Sequence, residues 1–181
     1  MVRLRRQFAE AGFVALVVDS PSDHGRLVRF RISAAQAEDT RALIRWATQR
    51  WPVPVWLVGT SRGTISAADL AIRIHVAGLV LLSSVTAGDR EKLTLHDVTL
   101  AEITAPTLLV HHEQDACNAS PLAGAQQLVD QLTHAPTVGW HIMTGGEPPT
   151  ASPCSPRSPH GFSGLDLQVA ALIVAFIHAQ E

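Results

Sequence analysis

Cysteine is scarce in this chain: Cys117 and Cys154 are its two. Two are too few for a disulfide scaffold, and their spacing does not match a zinc site. Strong charge of one sign is missing as well. The net charge of −2 leaves no electrostatic case for nucleic acid or an anionic membrane. Phe13 to Val18 is an apolar run far below the ~20 residues that span a bilayer. No secretory signal is visible, and Arg3, Arg5 and Arg6 form a basic cluster too short and mixed for targeting. What remains is an ordinary globular composition of 181 residues, 46% hydrophobic and 17% charged. That is enough for one sizeable core and short for two, so one domain over 1–181 is expected. No internal repeat is evident.

Apolar, β-rich runs alternate with helical stretches. Leu4 to Ala11 reads as a helix ending at Gly12, and Phe13 to Val18 as a buried strand. Ser33 caps a helix running to about Arg50. Strands are expected at Val53–Val58, Gly78–Leu82, Thr107–His111 and Val138–Met143. Helices are expected from the residues after Gly63 to about Ile74, at Pro121–Leu132 and at Leu165–His178. Residues 84–100 are polar and mixed; 144–163 are rich in Gly, Pro and Ser and form a long loop. This rhythm predicts an α/β fold, a mostly parallel sheet with helices on both faces. Trp46, Trp51, Trp56 and Trp140 read as packing residues, and His141, inside a strand, as covered by a neighbour.

Gly59-Thr60-Ser61-Arg62-Gly63 reads Gly-x-Ser-x-Gly. On its own the motif arises by chance in roughly 6% of chains this long, so its flanks decide its weight. A strand precedes it and a helix follows, the context of a nucleophile elbow. The glycines permit a tight turn, and the helix N-terminus favours negative charge developing near Ser61.

Serine is a weak nucleophile that needs a base, and the base needs an orienting carboxylate. Ligands in such sheets gather at the carboxyl ends of strands. The loop after Thr107–His111 carries Asp115, and the long loop after the last strand carries His160. The order Ser61, Asp115, His160 suits this elbow type. Asp89, after the Gly78 strand, is a rival acid whose simpler role is a solvated carboxylate; Asp69 reads as structural or exposed. His111 and His112 read as packing and hydrogen-bonding residues beside the site. His24 lies at the same edge. His75, His96, His134 and His178 read as surface or partly buried.

Over essentially its whole length the chain resembles the α/β-hydrolase superfamily. The resemblance rests on Gly59 to Gly63, the Gln114-Asp115 loop and Ser158-Pro159-His160-Gly161-Phe162. It implies a serine hydrolase cleaving an ester, thioester or related acyl bond through an acyl-enzyme. Ser61 is then the nucleophile, His160 the general base and Asp115 its orienting acid. The backbone N–H of Arg62 is one oxyanion-hole donor. The implied partner is a small-molecule acyl substrate, with no cofactor and no metal. The alternative is a hydrolase-fold protein that binds without catalysis, or an inactive fragment. Amide, lactone and peptide substrates are equally compatible with the motifs.

The superfamily usually has eight strands, and the upstream ones have no counterpart here. One of them normally lies between the strand ending at Val18 and the one ending at Val58, and its loop carries the second oxyanion donor. No His-Gly-Gly-like stretch precedes Ser61; such a donor is worth ~10²–10³ in rate. An N-terminally truncated fold is therefore expected, from a fragment or a misassigned start, with a minimal hydrolase as the alternative. Residues 84–100 occupy the position where relatives insert a lid, and their brevity predicts an open site. If the Asp and His loops meet, Cys117 and Cys154 come into one neighbourhood. They are then either a disulfide pinning the two loops or two free thiols in a reducing compartment. A cytoplasmic location follows if the chain is complete, a periplasmic or secreted one if a signal precedes it.

Overall fold

The computed structural model describes residues 2–23, 27–88 and 93–181. His24 and Asp89 lie outside them. Four strands, β1 (Trp56–Thr60), β2 (Gly78–Leu82), β3 (Thr107–His112) and β4 (Val138–Met143), form one sheet in the order β1-β2-β3-β4. Each pairs parallel with its neighbour.

Successive side chains of a strand face opposite sides of the sheet, so β2 feeds two cores at once. Leu79 and Leu81 join one core with Ile65, Ala68, Leu109 and Leu128. Val80 and Leu82 join the other with Leu4, Val110, Val169 and Ile173. All four β2 side chains are at most 1% exposed, and burying each stabilises the fold by roughly 1.5–3 kcal/mol. Helices α2 (Ala34–Thr48) and α3 (Gly63–Arg73) cover the first face, joined by Leu128 at the end of α4 (Leu122–Gln127). Helices α1 (Arg5–Glu10) and α5 (Asp166–His178) cover the second. A parallel sheet covered on both faces is what the alternating runs predict. Ser33 caps α2 by accepting the Gln36 N–H at 3.2 Å.

Several expectations need correction. Phe13–Val18 is not a strand: none of the four described strands pairs with it. Val14, Leu16, Val17 and Val18 are 42–68% exposed. A β-prone run becomes a strand only when a neighbour supplies the ladder, and β1 hydrogen-bonds to β2 alone. Strand β1 starts at Trp56 rather than Val53, after Pro52 and Pro54, which lack the N–H a ladder uses. Trp46 and Trp51 lie at the surface, their rings edge-to-face at 5.9 Å with Arg50 stacked over Trp46. His141 is exposed because β4 is the outermost strand. The helix expected at 121–132 is α4 followed by a separate 3₁₀ turn, Val129–Gln131. In the segment expected to be polar, Leu95, Val98 and Leu100 are buried in the core, held by two 3₁₀ turns. No helix of the described residues is long and apolar enough to cross a membrane.

Candidate active site

The chain leaves β1 at Thr60 and enters α3 at Gly63, with Ser61 and Arg62 between them. Ser61 sits at φ 52°, a left-handed conformation that costs a non-glycine residue of order 1–3 kcal/mol. Hydrogen bonds hold it there. Its N–H donates to Leu82 O at 2.9 Å, and its carbonyl accepts the Thr64 N–H at 2.9 Å and the Thr64 hydroxyl at 2.6 Å. A Cβ on Gly59 would stand 2.5 Å from the Gly63 carbonyl oxygen, so α3 reaches this close to β1 only because Gly59 has none. Arg62 is the residue before the first turn of α3.

The loop after β3 turns back on itself. The Asp115 N–H donates to His112 O at 3.1 Å, and Oδ1 of Asp115 accepts the Cys117 N–H at 2.9 Å. The Asp115 side chain is fully buried. His160 lies in a 3₁₀ turn, Pro159–Gly161, inside the long loop. That turn is tight: a Cβ on Gly161 would collide with the backbone of Pro156. Nδ1 of His160 lies 2.9 Å from Oδ2 of Asp115, with the imidazole 3% exposed. A carboxylate only accepts, so Nδ1 carries a proton, and in the neutral ring Nε2 is the bare nitrogen. Nε2 is buried without a hydrogen-bond partner. His160 lines a cavity of about 290 Å³ whose lining also includes Thr60, Ser61, Leu82, Cys154 and Phe162. The structure thus joins Asp115 to His160 and brings Ser61 to the same cavity, with no hydrogen bond from the Ser61 hydroxyl to the imidazole.

Cys117 and Cys154 form a disulfide, Cα atoms 4.6 Å apart. Cys117 is buried and Cys154 exposed. Donor atoms of Asp115, Cys117 and His160 lie within 4.8 Å of one another. The Cys117 sulfur is committed to the bridge, which leaves two donors facing each other in a hydrogen bond.

His111 and His112 pack and hydrogen-bond as expected. His112 accepts the Gln114 N–H on Nδ1 at 3.0 Å and bonds Gly145 O through Nε2 at 3.0 Å, tying the two loops. His111 is pushed below the usual histidine range, chiefly by burial. Asp69 is structural, paired with Arg73 at 2.7 Å; this pair raises the Arg73 pKa. Arg31 is lowered by burial and then by the like charge of Arg62.

Two residues here had no signal in the sequence. Arg3 donates to Pro156 O at 2.7 Å and Gly161 O at 2.8 Å, and pairs with Asp166 at 3.1 Å. It straps the His160 turn from the other end of the chain. Ser83, at φ 49°, donates its hydroxyl to His160 O at 2.7 Å.

A parallel sheet, a strained serine between strand and helix, and a buried Asp–His pair at the carboxyl ends of the strands describe an α/β hydrolase fold. Solved structures agree. An alpha-beta serine hydrolase homologue from Coxiella burnetii superposes with TM-score 0.63 at 22% identity, over 96% of this chain and 74% of that one. A monoacylglycerol lipase from Paleococcus ferrophilus gives TM-score 0.66 at 14% identity, covering 99% and 88%. VinJ gives 0.70 at 10% identity, covering 99% and 86%. No family model matches the chain, and no curated protein matches it in sequence. The fold of this chain is that of the α/β hydrolases.

Proposed function

We propose that this protein is a serine hydrolase that cleaves an ester, thioester or related acyl bond through an acyl-enzyme. Ser61 attacks the carbonyl carbon, and its proton passes to Nε2 of His160. The Asp115 carboxylate steadies the imidazolium, which then protonates the leaving group. The acyl-enzyme is hydrolysed by water deprotonated on the same imidazole. The N–H of Arg62, next to the nucleophile at the start of α3, stabilises the oxyanion.

One observation carries this reading. Nδ1 of His160 is engaged by a buried carboxylate at 2.9 Å, Nε2 is buried without a partner, and His160 and Ser61 line the same cavity. A histidine oriented on one nitrogen and bare on the other suits a general base. The reading requires the Ser61 hydroxyl to bond Nε2 when substrate is bound, since such bonds are often loose without it.

A fluorophosphonate probe tests it. Labelling at Ser61 is expected, and Ser61→Ala abolishes it. A folded protein that the probe leaves unmodified points instead to a binding role for the fold. Acyl-chain preference follows from a p-nitrophenyl ester series.

A further inference from the structure

We infer that His111 is a positioning residue for the proposed reaction, its ring set against the Asp115 carboxylate and its Nε2–H tied to the His160 backbone through two buried serines. This rests on the hydrolase reading given above.

His111 is the next-to-last residue of β3, and it is wholly buried. Its Nε2 faces two oxygens, Ser120 O at 2.9 Å and Asp115 Oδ2 at 3.4 Å. Both can only accept, so Nε2 carries the hydrogen and Nδ1 is bare. Nδ1 is buried with no partner, a desolvation cost that a leucine or phenylalanine at this position would not carry. The ring stacks on Trp140 of β4, centroids 6.4 Å apart, which leaves it little freedom to turn.

Two links lead from this ring. The direct one is a 3.4 Å contact, longer than a hydrogen bond, with Oδ2, the same oxygen that accepts from His160. The indirect one runs through Ser120, whose hydroxyl donates to Ser83 O at 3.1 Å, and Ser83, whose hydroxyl donates to His160 O at 2.7 Å. Ser83 and Ser120 are fully buried, so water does not compete for these bonds. His111 thus sits where acid and base are both registered against β2 and β3.

The groups that bear on its charge are Asp115 and the Ser120 carbonyl, which favour the charged ring, and His160 and His112, which oppose it. Burial outweighs them all and keeps the ring neutral. A neutral N–H takes up part of the carboxylate's charge without competing with His160 as a full cation would.

The test compares His111→Phe, which keeps the ring but removes the donor, with His111→Gln, whose amide nitrogen reaches the place of Nε2. The phenylalanine variant should lose between about 10- and 100-fold in kcat with KM little changed, as expected when a reacting group is misplaced. Its acid limb of kcat/KM should move to higher pH, because one group fewer then draws on the carboxylate's charge. Glutamine should restore most of both. A purely structural role would lower the melting temperature of both variants and leave the acid limb where it was; that result overturns the inference. Imidazole ¹⁵N spectra decide the matter even without turnover or with an unfolded variant. In the wild-type protein at neutral pH, His111 should be protonated on Nε2 and bare on Nδ1; the other tautomer overturns the proposal. If the fluorophosphonate probe fails on wild type, the hydrolase reading has failed. The His160 titration midpoint, raised in folded His111→Phe or unchanged, then still judges His111.

Discussion

Cys154, exposed on the His160 loop, is bonded through sulfur to Cys117, which is buried beside Asp115 and donates its N–H to that carboxylate. The bridge spans a sequence separation of 37, and closing such a loop is worth ~4 kcal/mol in the chain-entropy model, whose mechanism is disputed. Because Cys154 is open to solvent, a dithiol should reach it. Reduction is expected to lower the melting temperature and slow probe labelling of Ser61 together. A protein whose labelling rate is indifferent to reduction would show that His112, Arg3 and Ser83 hold the loops unaided.

Asp115→Asn keeps the shape of the acid but presents an amide to Nδ1 of His160, which favours the wrong tautomer. Activity should fall by ~10⁴, the cost of the equivalent change in a serine protease triad, with the fold retained by circular dichroism. Residual activity within tenfold of wild type would move the acid elsewhere, with Asp89 the first alternative to test.

The two glycines of the elbow are predicted to behave differently. A Cβ on Gly59 meets the Gly63 carbonyl at 2.5 Å, whereas one on Gly63 meets nothing within 4 Å. Gly59→Ala should therefore destabilise by ~1–3 kcal/mol, as overpacking does, and depress labelling of Ser61. Gly63→Ala, at the first residue of α3, should be neutral or stabilising by up to ~1 kcal/mol. Equal denaturation midpoints for the two variants would contradict this.

Acid should destabilise the protein through His111. Its folded pKa lies below the ordinary 6.5, mainly through burial. The unfolded chain therefore binds the proton more readily. Stability from the neutral ring is fully present above about pH 6.5 and is lost as pH falls toward the folded value. Chemical denaturation across pH 4.5–7.5 should show this slope, and His111→Gln should flatten it; an unchanged slope would assign the acid sensitivity to other groups.

The three residues proposed for catalysis were legible because each occupies a loop whose place is dictated locally. Strand, Gly-x-Ser-x-Gly and helix in succession point to an elbow, and β2 and β4 fall where their apolar runs predict. The positioning shell was not legible. Arg3 meets Gly161 across 158 residues and Ser83 meets His160 across 77. Both contacts use backbone carbonyls, which leave no mark in side-chain type.

Residue pattern alone settled most of the elements, the parallel layering and the loops that carry reactive groups, since periodicity and turn chemistry act over a few residues. Pairing belonged to the folded molecule. Phe13–Val18 has every local mark of a strand and stays unpaired, because a strand exists only beside another. Cys117 and Cys154 were open to either redox state until the two loops met, and β1 and β4 became edges only once the sheet was assembled. Those outcomes depend on which distant segments lie side by side, and no short stretch of chain encodes that.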